Sequence, residues 1–269
     1  LLACTKNRPA CGSRAHVVKG VRVLDALADE HGKRTAALTF EKSFCTAVVV
    51  SSRAVLTARH CVQGKKAREL LFGADIRAPH FRRPVLTSAA HPTEDIAVVQ
   101  FAGGLPTGFL ATRLAPPEFG LKSGERITIT GFGFTLPSSS KGSGTLSKTV
   151  LPFRFSRIDP QKWDVATMPL LWLDATQGSG ACHGDSGGPA FVERGSVWFV
   201  VGVTQGGDGL CGNEFNRATD LRLVHSWVHT HIALGETPGL ETSKLVVVGA
   251  ESESKATSED SVSSSKECQ

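Results

Sequence analysis

The stretch Cys182-His183-Gly184-Asp185-Ser186-Gly187-Gly188-Pro189 concentrates groups that can do chemistry. A glycine two residues before a serine lets the backbone approach a bound carbonyl closely, with its N–H exposed. Ser186 then offers a hydroxyl nucleophile and a second N–H at the same point, so Gly184 and Ser186 form a candidate oxyanion hole around the nucleophile. A serine hydroxyl is weak alone, and a base must reach it from elsewhere in the chain.

The candidate base is His60, in Val55-Leu56-Thr57-Ala58-Arg59-His60-Cys61, where an apolar run (Ala47 to Val50, then Ala54 to Leu56) ends. The candidate acid is Asp95, in His91-Pro92-Thr93-Glu94-Asp95-Ile96-Ala97-Val98-Val99, where it opens the run Ile96 to Phe101. Singly, a histidine beside a cysteine is usually structural and an aspartate before a strand is usually a cap. The three together, each adjoining an apolar strand, reverse that balance.

These boxes resemble the trypsin/chymotrypsin-like serine peptidase family. Thr57-Ala58-Arg59-His60-Cys61 is similar to its T-A-A-H-C box, Asp95-Ile96-Ala97-Val98 to its D-I-A-L segment, and Gly184 to Pro189 matches its G-D-S-G-G-P box. The resemblance runs from about Val17 to Leu234. It implies that Ser186 attacks a scissile carbonyl, that His60 carries the proton to the leaving amine, and that Asp95 orients the imidazole. It also implies disulfides Cys45–Cys61 and Cys182–Cys211, the second tying the walls of the primary specificity pocket. Two such pairs point to an oxidising compartment. Cys4, Cys11 and Cys268 remain.

The elements that must position these groups read as all-β. The chain has 269 residues, 41% hydrophobic and 20% charged, enough for a sizeable core. Short runs at Ala47–Val50, Ile96–Phe101, Arg126–Thr130 and Val197–Val203 alternate with Gly/Pro/Ser turns, an antiparallel pattern. One helix is expected, from about Leu221 to Ala233, with Leu221, Val224, Val228 and Ile232 at helical spacing and Gly235 as its stop. The family resemblance implies two six-stranded antiparallel β-barrels with a C-terminal helix. Barrel one is expected over residues 17–115, barrel two over 116–220 and the helix over 221–233, with the linkage around Gly103 to Gly124. Ile129-Thr130-Gly131-Phe132-Gly133 resembles the family's V-S-G-W-G at the start of the second barrel.

Residues 1–16 read as a signal remnant, tether or pro-segment. Leu1-Leu2-Ala3-Cys4 resembles the end of a bacterial lipoprotein signal, which would lipidate Cys4 and anchor the protein to a membrane; an ordinary secretory remnant or a Cys4–Cys11 pair are the alternatives. Val17-Val18-Lys19-Gly20 resembles the family's I-V-G-G, whose freed ammonium pairs with the aspartate before the serine, here Asp185. Two departures stand out: His16 precedes the cut, and Lys19 replaces a glycine. Residues 235–269 carry seven acidic and three basic residues, a net −4 in a chain of +5, and read as a disordered tail. The expected location is secreted or cell-envelope, and the expected state a monomer.

By the resemblance, Gly180 lies at the base of the specificity pocket, Gly206 and Thr204 in its wall, and Asn216 beside it. With no aspartate at Gly180, an Arg or Lys preference is disfavoured. A large neutral or aromatic side chain is expected at the cleaved position, or an acidic one if His183 at the rim decides. Phe72-Gly73-Ala74-Asp75 lies where relatives bind calcium, but Arg77, His80, Arg82 and Arg83 surround it and no calcium is expected. His225 and His229 lack a third ligand, so no metal and no cofactor are expected. The basic cluster that adds Lys65, Lys66 and Arg68 reads as a solvated face, and no interleaved aromatics argue for nucleic acid.

Gly184 to Gly188 also satisfies the G-x-S-x-G elbow of α/β-hydrolases, but Gln177 to His183 is no apolar strand and alternating α/β patterning is missing. The expected function is therefore a serine endopeptidase acting on protein or peptide substrates. Its alternative is a latent zymogen or a binding or regulatory protein on the same scaffold.

Overall fold

Chain segments that bury both faces read as unbroken apolar runs, and the strands around His60 and Asp95 do so. In the computed structural model, which describes residues 20–135, 142–156, 170–207 and 211–236, six strands close a barrel, and all but Phe81–Ala90 are largely buried. They are β2 (Thr35–Thr39), β3 (Phe44–Val49), β4 (Ala54–Thr57), β5 (Glu69–Phe72), β6 (Phe81–Ala90) and β7 (Ala97–Phe101). They pair antiparallel in the order β2-β3-β4-β7-β6-β5. Leu38, Val49, Val55, Phe72 and Phe101 fill its interior.

The second sheet holds β9 (Arg126–Gly131), β10 (Ser147–Ser156), β11 (Leu170–Asp174), β12 (Pro189–Arg194), β13 (Val197–Gly207) and β14 (Phe215–Asp220). They run β10-β11-β14-β13-β12-β9, and pairing of β9 with β10 closes the ring. Ile127, Ile129, Leu151, Leu171 and Val201 form its core. Two short strands join this sheet from outside the expected range of barrel two. β1 (Val21–Arg22) pairs with β10, and β8 (Arg113–Leu114) runs parallel to β13. Val21–Arg22 therefore lies against the second barrel, ahead of the strands that build the first. Lys148 on β10 holds Asp29 there through a salt bridge.

The outward faces of β3, β4 and β7 pack on barrel two. Val48, Leu56 and Val98 meet Phe191, Val200 and Val203 in one buried cluster. The terminal helix caps that seam. Leu221, Val224, Val228 and Ile232 are all buried in the cluster, as their spacing predicts. The helix starts later than expected, however: α2 spans His225–Glu236 and Leu221–Val224 is a turn. The cause is Asp220. Its buried carboxylate accepts the Arg222 N–H at 3.1 Å and the guanidinium at 2.8 and 2.6 Å, which holds a turn where a helix would begin. The helix also runs through Gly235 instead of stopping there. No helix among the described residues is long and apolar enough to cross a membrane.

Candidate active site

His60 sits in α1 (Arg59–Val62), a single turn that follows β4 directly. The Cys45–Cys61 disulfide anchors that turn to β3. A loop of about 16 residues closed in this way is worth roughly 3 kcal/mol in the chain-entropy account. Asp95 lies two residues before β7, in a tight turn where the His91 N–H donates to the Ile96 carbonyl at 2.9 Å. Since β4 and β7 are paired neighbours, the two turns meet at one end of the barrel.

There, both Asp95 oxygens are committed to His60. Oδ2 lies 2.8 Å from Nδ1 of the imidazole, and Oδ1 accepts the His60 backbone N–H at 2.9 Å. Burial opposes the Asp95 charge, yet the bonds from His60 and the Arg59 N–H outweigh it and hold the carboxyl below the usual range. Asp95 is thus ionised at neutral pH and fixes Nδ1 as the protonated nitrogen, leaving Nε2 as the basic one. Arg59 points to the same turn: its Nη1 donates to the Thr93 carbonyl at 3.2 Å.

Ser186 comes from the loop between β11 and β12, and barrel one braces it. Thr46 on β3 donates its N–H to the Ser186 carbonyl at 2.9 Å, and its hydroxyl donates to the Gly184 carbonyl at 2.8 Å. Gly184 has φ +98° and Gly187 φ +85°, both in the left-handed region. A Cβ on Gly187 would also lie 2.1 Å from Thr57 Oγ1. The sequence G-D-S-G is therefore what lets the serine turn fit against β3 and β4. Neither the Gly184 N–H nor the Ser186 N–H finds an acceptor among the described residues. The Ser186 hydroxyl donates to the Gln205 carbonyl at 3.4 Å rather than to His60.

Asp185 is buried, at 2% exposure, and accepts N–H bonds from Gly133 and Cys182, both at 2.8 Å. Burial pushes its carboxyl up to about 7 against those two donors. No Lys, Arg or His among the described residues pairs with it. Val17, its expected partner, lies outside the described residues. So do Cys4, Cys11, Cys268 and the tail.

Beside Ser186, the Cys182–Cys211 disulfide ties the Gly180–Cys182 segment to the residues just before β14. Asn216 on β14 reaches both that segment and Gly207 at the end of β13. Its Oδ1 accepts the Ala181 N–H at 3.0 Å and would lie 2.4 Å from a Cβ on Gly180. Its Nδ2 would lie 2.8 Å from a Cβ on Gly207. The carboxamide thus fills the space that the absence of a side chain at Gly180 leaves. Its Nδ2 is buried and has no hydrogen-bond partner among the described residues. Among the described residues nothing lies within 4 Å of a Cβ on Gly206, and it is Gly207 that pairs with Asn216, because a register shift between Thr204 and Gly206 moves the strand by one. Thr204 is buried, with its backbone bonded to Gly187 and Gly188.

Gln205 and Thr219 connect these parts. Gln205 accepts from Ser186 and donates its Nε2 to Thr219 Oγ1 at 3.1 Å; Thr219 in turn donates to the Asp95 carbonyl at 2.9 Å. Thr219 is buried at 0% exposure within β14, and no motif in the sequence marks it. Elsewhere, Asp75 is engaged by Arg77 at 2.6 Å, and no group of three or more His, Cys, Asp or Glu that could hold a metal exists among the described residues.

The family model described as Trypsin matches residues 25–228. The chain is 27% identical to human transmembrane protease serine 11B over 215 residues, covering 72% of this chain and 50% of that protein. It is 27% identical to mouse vitamin K-dependent protein C over 216 residues, covering 71% of this chain and 47% of that protein. The chain therefore spans about half the length of these curated relatives. Among solved structures, HL collagenase superposes with a TM-score of 0.68 at 17% identity, covering 80% of this chain and 98% of that one. Neuropsin, a serine protease expressed in the limbic system of mouse brain, gives 0.66 at 20% identity, covering 80% and 99%.

Proposed function

Because this chain belongs to the trypsin family, we propose that it is a serine endopeptidase whose catalytic residues are His60, Asp95 and Ser186. The observation that carries the reading is the commitment of both Asp95 oxygens to His60, whose neighbour Cys61 places its Sγ 3.8 Å from the Ser186 carbonyl. Rotation about the Ser186 Cα–Cβ bond exchanges the Gln205 carbonyl for His60 Nε2. Ser186 Oγ then attacks the carbonyl carbon of a peptide bond while Nε2 takes its proton. The oxyanion forms against the unspent N–H groups of Gly184 and Ser186, where each donor is worth roughly 3–4 kcal/mol. The imidazolium, balanced by Asp95, returns the proton to the leaving nitrogen, the C–N bond breaks and an acyl-enzyme remains. Water repeats the sequence, giving a carboxylic acid and free Ser186.

The pocket beside Ser186 supports a narrower choice than an aromatic side chain. Asn216 places a carboxamide between Gly180 and Gly207. That favours a short side chain carrying a hydrogen-bond acceptor, which would satisfy the buried Nδ2. Two disulfides support an oxidising, extracytoplasmic location.

A latent form is the second reading, and Asp185 favours it. A buried carboxylate that meets only backbone donors among the described residues is costly until a cation arrives. The freed ammonium of Val17 is the proposed cation. Labelling of Ser186 by a fluorophosphonate distinguishes the readings.

A further inference from the structure

Only three residues separate His91 from Asp95, and the turn they make is held from inside by the His91 ring. Nδ1 of His91 accepts the Glu94 N–H at 3.0 Å and the Thr93 N–H at 3.2 Å. An imidazole nitrogen that accepts two N–H groups carries no proton. The turn is also tied by the His91 N–H to the Ile96 carbonyl at 2.9 Å, by the Thr93 hydroxyl to Glu94 Oε1 at 3.0 Å and by the Thr219 hydroxyl to the Asp95 carbonyl at 2.9 Å. Arg59 Nη1 holds the Thr93 carbonyl from α1, and the Ile96 N–H closes on the Glu94 carbonyl at 2.9 Å. On its other side the His91 ring packs edge-on against Trp227 of α2, with centroids 4.9 Å apart, and Trp227 stacks on His231 at 4.0 Å.

We propose that His91 is a positioning residue for the triad: its neutral Nδ1 holds the Thr93–Asp95 turn closed, and protonation of that nitrogen loosens Asp95 and, through it, the His60 imidazole. A proton on Nδ1 would face two N–H donors, so both bonds are lost at once and the three dipoles repel. Asp95 depends on this turn because its carboxylate must meet His60 with both oxygens. The charged or titratable groups facing His91 are Glu94 on the same turn, Arg59 on α1 and His231 on α2. Burial, together with Arg59 and His231, keeps the ring below the usual imidazole range against the pull of Glu94. His91 is therefore neutral at pH 7 and takes its proton only below the ordinary imidazole range. The inference rests on the assignment of His60, Asp95 and Ser186 as the catalytic residues.

The test compares the full chain with His91→Asn and His91→Leu, measuring kcat and KM on one peptide substrate between about pH 4.5 and 9. An asparagine at this position can accept the same two N–H groups through its Oδ1, as an Asx turn does, without titrating. Expected for the full chain is an acid limb of kcat/KM that steepens beyond a slope of one, since His60 and His91 must both be neutral. Expected for His91→Asn is activity at pH 8 within about threefold of the full chain and an acid limb of slope one. His91→Leu should lose roughly tenfold or more in kcat with KM little changed, the scale of a small misplacement at a reacting group. In Ser186→Ala protein, the Thr93 and Glu94 amide resonances should move together with the His91 ring titration; this readout needs no activity and no altered His91. A slope of one in the full chain, an unchanged steep limb in His91→Asn, or amides that ignore the His91 titration would each overturn the proposal. Loss of all peptide hydrolysis and of fluorophosphonate labelling in the unaltered chain would instead remove the triad assignment on which it stands.

Discussion

The Thr219 hydroxyl donates to the Asp95 carbonyl at 2.9 Å, reaching from β14 of the second barrel to the turn that carries Asp95 on the first. Gln205 extends the same chain to the Ser186 hydroxyl through its own carbonyl. The two halves of the site are thus registered by a short polar relay as well as by the apolar seam of Val48, Leu56, Val98, Phe191 and Val203. Thr219 is its fully buried member, so removing that hydroxyl leaves Gln205 Nε2 without its acceptor and the Asp95 carbonyl without this donor.

Thr219→Val keeps the shape and removes the hydroxyl. It should lower stability by about 1–3 kcal/mol and kcat/KM roughly tenfold. Thr219→Ser should restore most of both. Urea melts and hydrolysis of one peptide check this, and a valine variant as active as the native chain would show that the relay does not set the register.

Asn216→Gly should open the base of the pocket. The ratio of kcat/KM for phenylalanine over serine at the cleaved position should rise by about 10- to 100-fold, the scale of a few methylene groups gained in a pocket. A parallel series of two peptides on each enzyme measures it. An unchanged ratio would place the pocket floor elsewhere.

Asp185 gives a pH signature of the latent form. Its folded-state value, about 7, lies above the ordinary aspartate value. The folded chain then binds the extra proton, and this contribution to stability is complete below about pH 4 and lost as pH rises to about 7. Carboxylates held low, such as Asp95, Asp75 and Asp174, work in the opposite sense and lose their contribution only in stronger acid. With the residues before Val17 attached, the urea midpoint should decline between pH 4 and 7 relative to a form cut before Val17. Identical profiles for the two forms would exclude the Val17–Asp185 pair.

Much of this arrangement was legible as local sequence because local sequence causes it. The glycines around Ser186 announce a turn that no other residue could make against Thr46 and Thr57. The spacing of Leu221, Val224, Val228 and Ile232 announces the buried stripe over the seam. Other features depend on pairings that a linear reading does not contain. The register shift in β13 decides that Gly207, not Gly206, faces Asn216. Asp220 binds Arg222 two residues on and displaces the helix start, although both residues suit a helix. Val21–Arg22 carries too little pattern to reveal that it pairs with Ser147–Lys148, more than a hundred residues away.

The most direct measurement of the central claim is the intact mass of the protein after exposure to a fluorophosphonate, beside a Ser186→Ala control. The account predicts one adduct, located on Ser186, in the form beginning at Val17, and none in the control. Folded protein of that form that gains no adduct, or gains it equally in the control, would contradict it.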